Sequence, residues 1–295
     1  MDIILKKDKI LELESKGYTT TGIAKELNTN ERYVRKVKNK KYYPSQNDKP
    51  ECKIKELILA DIHIPHENKD ALKAALDYSV EYKPDIIVLL GDFIDFYAIS
   101  SFNKDPKHMP IEDEIELAKE KLQEIRELNP KSQIIYIVGN HSSRKQKYLW
   151  SKAPELAGLK SLQLQEILDF DKLGIKYVDN DKHIEEYGIP FSIGKLFHLH
   201  GHEYRGSAFA VNIARNIYLN SQENVIVGHF HKTQEYIFEK LNGDVCGCWS
   251  IGCLCDLYAS YLPVNQWNHG FCTVEYDEEG NFSVSNKKII DKNIY

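Results

Sequence analysis

No stretch of this 295-residue chain approaches the ~20 consecutive apolar residues needed to cross a bilayer. Its opening, MDIILKKDKILELESKGY, lacks the apolar core of an export signal, because acidic residues interrupt it. These absences predict a soluble protein of the cytoplasm with no membrane partner. Internal repeats and low-complexity tracts are also missing. Zinc knuckles usually space their cysteines as C-x2-4-C. The six cysteines are Cys52, Cys246, Cys248, Cys253, Cys255 and Cys272, and four of them crowd into CGCWSIGCLC as tighter C-x-C pairs. In an unexported chain they are expected to be reduced. Packing as small apolar residues is the preferred reading over a metal cluster.

Hydrophobic residues make up 42% of the chain, enough for a substantial core. Charge is distributed unevenly. The net value is −5, yet residues 1–45 carry eleven Lys/Arg against six Asp/Glu, a net +5, which leaves −10 on the remaining 250 residues. That asymmetry predicts two parts with different partners: a module at 1–45, a linker at 46–52 overlapping the polar segment YYPSQNDKPE, and a domain at 53–295.

The basic module reads as three helices, about Lys7–Lys16, Thr20–Leu27 and Glu31–Lys38. A threonine at 19–21 would cap the second and Asn30 the third. Ile10, Leu11 and Leu13 are the apolar residues of the first, and Ile23, Ala24 and Leu27 of the second and Tyr33, Val34 and Val37 of the third would face inward. The stretch TTTGIAKELNTNERYVRKV resembles the helix-turn-helix of resolvases and small regulators. That likeness implies DNA binding, with Arg32, Arg35 and Lys36 on the last helix among the contacts.

From residue 53 strands and helices alternate: KIKELILA, NKDALKAALDYSVEY, DIIVLL, EDEIELAKEKLQEIRELN and SQIIYIV. Alternation of this kind predicts an α/β fold with a parallel sheet covered on both faces. PFSIGKLFHLH and NVIVGH read as further strands, separated by a helix near Ala208–Leu219. LNGD and EEGN mark hairpins that would supply an antiparallel edge or a second sheet. Five of the strands run directly into polar clusters: Asp61-Ile-His63, Gly91-Asp92-Phe-Ile-Asp95, Gly139-Asn140-His141, His200-Gly201-His202 and Gly228-His229-Phe-His231. In open α/β sheets, sites form at the carboxyl ends of strands, so these clusters are expected to converge. Carboxylates, imidazoles and one amide form a mixed N/O donor set suited to Mn²⁺, Fe or Zn²⁺, with no cysteine in it. On extended backbone, Asp61 and His63 would fall on one side, as would His229 and His231. The adjacent glycines would permit tight turns.

D-x-H, G-D-x-x-D, G-N-H, H-G and G-H-x-H, in that order, resemble the calcineurin-like metallophosphoesterases across roughly Leu57–His231. GDFIDFYAISSF and the late CWSIGCLCDLYASY and QWNHGF look like a branch seen in bacteriophages and bacteria. The resemblance implies a β-sandwich core flanked by helices and a binuclear metal site. Asp61, His63 and His231 would bind one divalent ion, Asn140, His200 and His229 the other, and Asp92 would bridge them. Mn²⁺ is the expected ion, with Fe, Zn²⁺ and Mg²⁺ as alternatives. His141 would protonate or orient the leaving oxygen, with Asp95 orienting its ring. If the chain is phage-encoded, its site of action would be the host cytoplasm.

Two ions ~3.5–4 Å apart can bridge a hydroxide and polarise phosphoryl oxygens, so no protein nucleophile is needed. Many relatives carry Asp or Glu after G-N-H, where this chain has Ser142, a change expected to alter how the loop is held rather than the chemistry. Arg144 is a candidate phosphate contact and equally a candidate surface residue. His198, His200 and His202 alternate along one segment; the motif selects His200, with His202 as its competitor or a substrate contact. His66 and His269 are candidates for the rim. The expected activity is hydrolysis of a phosphate ester in nucleic acid, by a DNA phosphodiesterase, nuclease or end phosphatase. A phosphatase of phosphoprotein or small esters is the first alternative, and a DNA-binding regulator with a scaffold domain the second.

Overall fold

The computed structural model describes residues 9, 10, 12–27, 29, 31, 34, 35, 54–101, 103, 105, 107–204, 210–258, 262 and 264–295. The chain divides into two compact units, 1–51 with 239–244, and 52–238 with 245–295.

In the first unit, residues 9, 10 and 12–15 are helical and end in a turn at Gly17, whose φ of +81° suits a residue without Cβ. Helix α1, Thr20–Glu26, is capped by Thr19, whose hydroxyl accepts from Gly22 N. Residues 31, 34 and 35 are helical. Ile10, Leu13, Ile23, Ala24 and Val34 form a small buried cluster, with Leu27 against it. Arg35 is exposed and pairs with Glu31 one turn back at 2.9 Å. Arg32, Lys36 and Asn30 lie outside the described residues.

In the second unit, β1 (Ile54–Leu59), β2 (Ile86–Leu90), β3 (Gln133–Ile137) and β4 (Ile175–Val178) pair in parallel. Helices α2 (Lys69–Tyr82) and α3 (Ile111–Leu128) connect the first three strands. Asn68 caps α2 by accepting from Ala71 N at 3.0 Å, an interaction that contributes about 1 kcal/mol. Helix α4 (Ser142–Lys152) leaves β3 directly, and β4 is an element with no counterpart among the expected ones. Its four residues are too short and too weakly patterned to stand out from the sequence.

After α5 (Asn180–Tyr187), the stretch read as one strand is a hairpin, β5 (Ser192–Ile193) against β6 (Leu196–Leu199). Gly194, at φ +53°, turns the chain and lies against Gly280. Helix α6 (Ile213–Ser221), β7 (Val225–Val227), β8 (Gln234–Glu239) and β9 (Val245–Ser250) follow, and complete a five-stranded sheet in the order β5-β6-β7-β9-β8. The antiparallel edge belongs to the first sheet. There β10 (Gly270–Tyr276) pairs with β1, and β11 (Phe282–Ile290) and β12 (Asn293–Ile294) extend it.

Alternation along β1 explains the layering. Leu57 and Leu59 join Leu72, Leu76, Leu122 and Ile125 beneath the helices, while Ile58 and Ala60 join Leu196, Ile226 and Trp249 from the other sheet. The outer face of the second sheet is covered by α6 through Ile213, Ala214 and Ile217, where Cys246 and Cys248 pack. One sheet is therefore covered by helices and by its partner sheet, giving a β-sandwich flanked by helices. Among the described residues no helix is long and apolar enough to cross a membrane.

Candidate metal centre

The chain reaches one edge of the sandwich through five turns, and their backbones are not extended. Asp61, His63, Asp92, His229 and His231 all have φ between +47° and +64°, the left-handed region that residues with a Cβ rarely adopt. This corrects the expectation of strand-like alternation: left-handed turns beyond the strand ends bring these side chains together. Such conformations cost about 1–3 kcal/mol each and persist where the surroundings over-determine them, as happens at functional sites. Gly91 and Gly201, at φ +83° and +118°, turn the chain as expected, but two other glycines act differently. Gly139 and Gly228 have no left-handed φ. Instead, a Cβ at Gly139 would overlap the Asp92 carboxylate, and one at Gly228 would stand 2.6 Å from Asp61 Oδ2. They are small so that a carboxylate from another loop can approach.

Two buried carboxylates tie the loops together, each in the same way. Asp61 Oδ2 accepts from His229 N at 2.8 Å, and Asp92 Oδ1 accepts from His141 N at 2.8 Å. The second contact sits at the start of α4, where the helix dipole favours an anion. Each carboxylate thus uses one oxygen for backbone and presents the other to the site. Asp61 Oδ1 faces His231 Nε2 at 3.2 Å and His63 Nε2 at 3.7 Å. Asp92 Oδ2 faces His200 Nε2 at 3.0 Å, His141 Nε2 at 3.8 Å and His63 Nε2 at 3.9 Å. Asn140 Oδ1 is 3.1 Å from His200 Nε2.

The imidazoles are anchored from behind. Nδ1 of His63 donates to Asp95 Oδ2 at 3.2 Å, and Nδ1 of His200 donates to the Leu90 carbonyl at 2.9 Å. Both rings therefore present Nε2 inward, the arrangement typical of metal-ligating histidine. Asp61 Oδ1 and His63 Nε2 are buried without a hydrogen-bond partner. Orphaned polar atoms of this kind are costly, and a cation between them would remove the cost. Three groups of donors fit an ion: His63, Asp92 and His141; Asp92, His200 and His229; and His63, His231 and Cys255. The donor set fits the divalent ions of the expected chemistry.

Electrostatics point the same way. Burial acts to lower His63, but Asp61 and Asp95 outweigh it and raise its pKa to about 10. His231 is likewise raised to about 10 against burial, with Cys255 and Asp61 as causes, and His200 to about 9, chiefly by Asp92. Burial and the neighbouring His200 push His229 down to about 3. Burial favours the neutral acid at Asp61, Asp92 and Asp95, yet the surrounding imidazoles hold all three below the usual carboxylate range. Without metal, His63, His200 and His231 therefore carry protons at neutral pH. A cation must displace them, so affinity is expected to rise with pH up to about 9–10. Calorimetric titration with Mn²⁺ at pH 7 in buffers of different ionisation enthalpy should count about three protons released, one from each raised imidazole. A heat independent of the buffer would contradict this. The same raised values stabilise the metal-free fold fully below pH 6.5, and that contribution fades as pH climbs through 9–10.

His141 and Asp95 stand beside the donor set. His141 Nδ1 donates to Asp95 Oδ2 at 3.0 Å, and burial lowers the pKa of this imidazole. Arg144 is tied into the pair: Nη1 donates to Asp95 O at 2.9 Å and Oδ1 at 2.6 Å, and Nη2 donates to His141 Nε2 at 3.0 Å. Ser142, in the place of the relatives' acid, anchors the start of α4, its hydroxyl 2.9 Å from Tyr136 OH.

The competing histidines separate. His198 lies within β6, fully buried, 2.8 Å from Glu56 Oε1, whose other oxygen accepts from Tyr276 OH at 2.5 Å. His202 lies beyond His200, its ring 5.5 Å away and its Nδ1 3.5 Å from Glu203. His200, rather than His202, stands against Asp92 and Asn140. His66 is exposed, and His269 lines a separate hollow with Asn68 and Asp256.

A cleft of about 390 Å³ opens onto the donors, lined by His63, Asp92, His141, His229 and His231. Lys232, Gln266 and Trp267 line it as well. Lys232 Nζ donates to Gln266 Oε1 at 3.1 Å, and the Trp267 ring lies 4.2 Å from that of His231. Three supporting residues escaped the sequence reading. Glu203 follows the H-G-H and accepts from His200 N and Gly201 N, Lys232 follows the G-H-x-H, and Cys255 joins His63 and His231 although cysteine was not counted among the donors.

Residues 54–236 match the family model for calcineurin-like phosphoesterases. The chain is 28% identical over 183 residues to the Gene 54 protein of Mycobacterium phage L5, a stretch covering 60% of this chain and 68% of the phage protein. Among solved structures, a single mutant of Vps29 from Entamoeba histolytica is similar with a TM-score of 0.44 and 13% identity, over 82% of this chain and 96% of that one. Yfce, a phosphoesterase from E. coli, is similar with a TM-score of 0.34 and 14% identity, over 79% of this chain and 99% of that one. The family model covers well over half of the 295 residues, and this protein belongs to the calcineurin-like phosphoesterase family of metal-dependent hydrolases acting on phosphate esters.

Proposed function

We propose that the protein hydrolyses a phosphate ester of nucleic acid at a site holding two divalent ions. One observation carries the two-ion reading: Asp92 belongs to two donor groups, with His63 and His141 on one side and His200 and His229 on the other. A carboxylate so placed suits the bridge between two ions. Asp61, His63 and His231 would complete one side, Asn140, His200 and His229 the other. Bound there, divalent ions supply a nucleophile at neutral pH and stabilise charge on phosphoryl oxygens. Mn²⁺ is the favoured ion for this N/O set. His141, oriented by Asp95, serves the leaving oxygen from Nε2. Arg144 moves from that atom onto the phosphate when substrate enters, since its fork suits a phosphate as well as a carboxylate.

Nucleic acid is supported by the +5 charge of residues 1–45 and by their helix-turn-helix pattern. Arg32, Arg35 and Lys36 would contact DNA, and the reaction would take place in the cytoplasm, that of the host if the chain is phage-encoded. One observation favours the alternative of a small ester: among the described lining residues of the cleft, Lys232 is the one Lys or Arg.

A screen with Mn²⁺ separates the two. p-Nitrophenyl phosphate, bis-p-nitrophenyl phosphate, and single- and double-stranded DNA are offered to the full chain. Preference for the diester and cleavage of DNA support the first reading, and preference for the monoester with inert DNA supports the alternative. Replacing Arg32, Arg35 and Lys36 together with alanine is expected to weaken DNA binding while sparing turnover of the small esters. No hydrolysis of any ester with any divalent ion, alongside tight DNA binding, would leave the scaffold-regulator reading.

A further inference from the structure

Three imidazoles of the centre point Nε2 inward, and each has an atom behind Nδ1. For His63 that atom is Asp95 Oδ2 at 3.2 Å, and for His200 it is the Leu90 carbonyl at 2.9 Å. For His231 it is the Cys255 sulfur at 3.8 Å, while Nε2 faces Asp61 Oδ1 at 3.2 Å. We infer that Cys255 is a positioning residue for the ion held by Asp61, His63 and His231: its sulfur accepts the Nδ1–H of His231 and so reserves Nε2 for the metal.

The segment carrying Cys255 is built to hold that sulfur still. Leu254 N donates to Asp61 O at 3.1 Å, Asp256 N donates to His66 O at 2.8 Å, and the Cys255 carbonyl faces His269 Nε2 at 3.0 Å. Cys255 itself is 4% exposed. Trp267, 4.2 Å from the His231 ring, adds a second restraint on its orientation. Two further atoms aim at the same place without partners of their own, Asp61 Oδ1 on a fully buried side chain and His63 Nε2 on one 5% exposed. Sulfur is a weak acceptor beside carboxylate or carbonyl. It fixes the tautomer while placing less negative charge behind the ring than Asp95 places behind His63.

The inference rests on the metal centre proposed above. Zn²⁺ binding is measured on the full-length wild type, Cys255→Ala and Cys255→Ser, with thermal melts of the metal-free proteins as a folding control. Losing the anchor in Cys255→Ala is expected to weaken the tighter zinc site by about 10–100-fold, whereas the serine hydroxyl restores it to within about threefold. In zinc-loaded wild type, ¹⁵N-histidine spectra should show His231 protonated at Nδ1 and metal-bound at Nε2. Cobalt-loaded wild type should lack an intense near-ultraviolet sulfur-to-cobalt charge-transfer band. Equal zinc affinity in all three proteins overturns the inference. So does metal at Nδ1, or a charge-transfer band that Cys255→Ser abolishes, which would make the thiolate a ligand instead. If Cys255→Ala fails to fold, the two wild-type spectra decide by themselves. A wild type that binds no zinc overturns the metal centre as a whole, an outcome distinct from these.

Discussion

Asp92→Ala is expected to lower kcat/KM for p-nitrophenyl esters by at least about a thousandfold, on the order of 4 kcal/mol of transition-state stabilisation. Both oxygens of this carboxylate are in use. Oδ1 receives His141 N at the head of α4, and Oδ2 stands 3.0 Å from His200 Nε2 and 3.9 Å from His63 Nε2, between two donor groups. Alanine removes the shared donor and releases the backbone that carries Asn140 and His141. Asp92→Asn keeps an acceptor for His141 N but loses the charge, so it should fold normally, bind less metal and remain nearly inactive. Turnover, bound metal by mass spectrometry and circular dichroism together check this. A variant that keeps its metal content and turnover would remove Asp92 from the centre.

His141→Ala carries the second largest effect, about 10²–10⁴-fold, the span associated with a positioned acid or base. Its size should depend on the leaving group. p-Nitrophenolate leaves without a proton, so the loss there should be small. A phenyl or alkyl ester needs protonation and should show the full loss. Asp95→Asn should follow the same pattern more weakly, because Asp95 orients His141 through Nδ1 and also holds His63 and Arg144. An equal loss for every leaving group would mean that His141 binds phosphate and does not protonate. Arg144 enters here too. In this structure its Nη2 donates to His141 Nε2, so the acid role requires that contact to open.

Much of the architecture was legible because its signals are local. KIKELILA, DIIVLL and SQIIYIV are short apolar runs that end in turn residues, and they form β1, β2 and β3. The two helical periods between them became α2 and α3. β4 and the β5–β6 hairpin were not read correctly, because four or two residues carry too little pattern and Gly194 in PFSIGKLFHLH passed as part of a strand. Arg144 illustrates the limit for side chains. Nothing near it in sequence announces Asp95, 49 positions away, as its partner.

The sequence by itself determined which chemical groups this protein can bring to a site, and in what order along the chain. A strand end followed by Asp, Asn or His is a local event, and five of them in one order carry the family likeness. Only the tertiary structure decided how the groups are used. It placed His198 against Glu56 in the core and His200 against Asp92, two residues apart in one segment. It assigned one oxygen of Asp61 to His229 N, 168 positions away, and left the other facing His63 and His231. It set Cys255 behind His231. These outcomes depend on left-handed turns at five of the candidate ligands and on packing between loops distant in sequence. No local pattern encodes either, because both are fixed by contacts that form only when the two sheets meet.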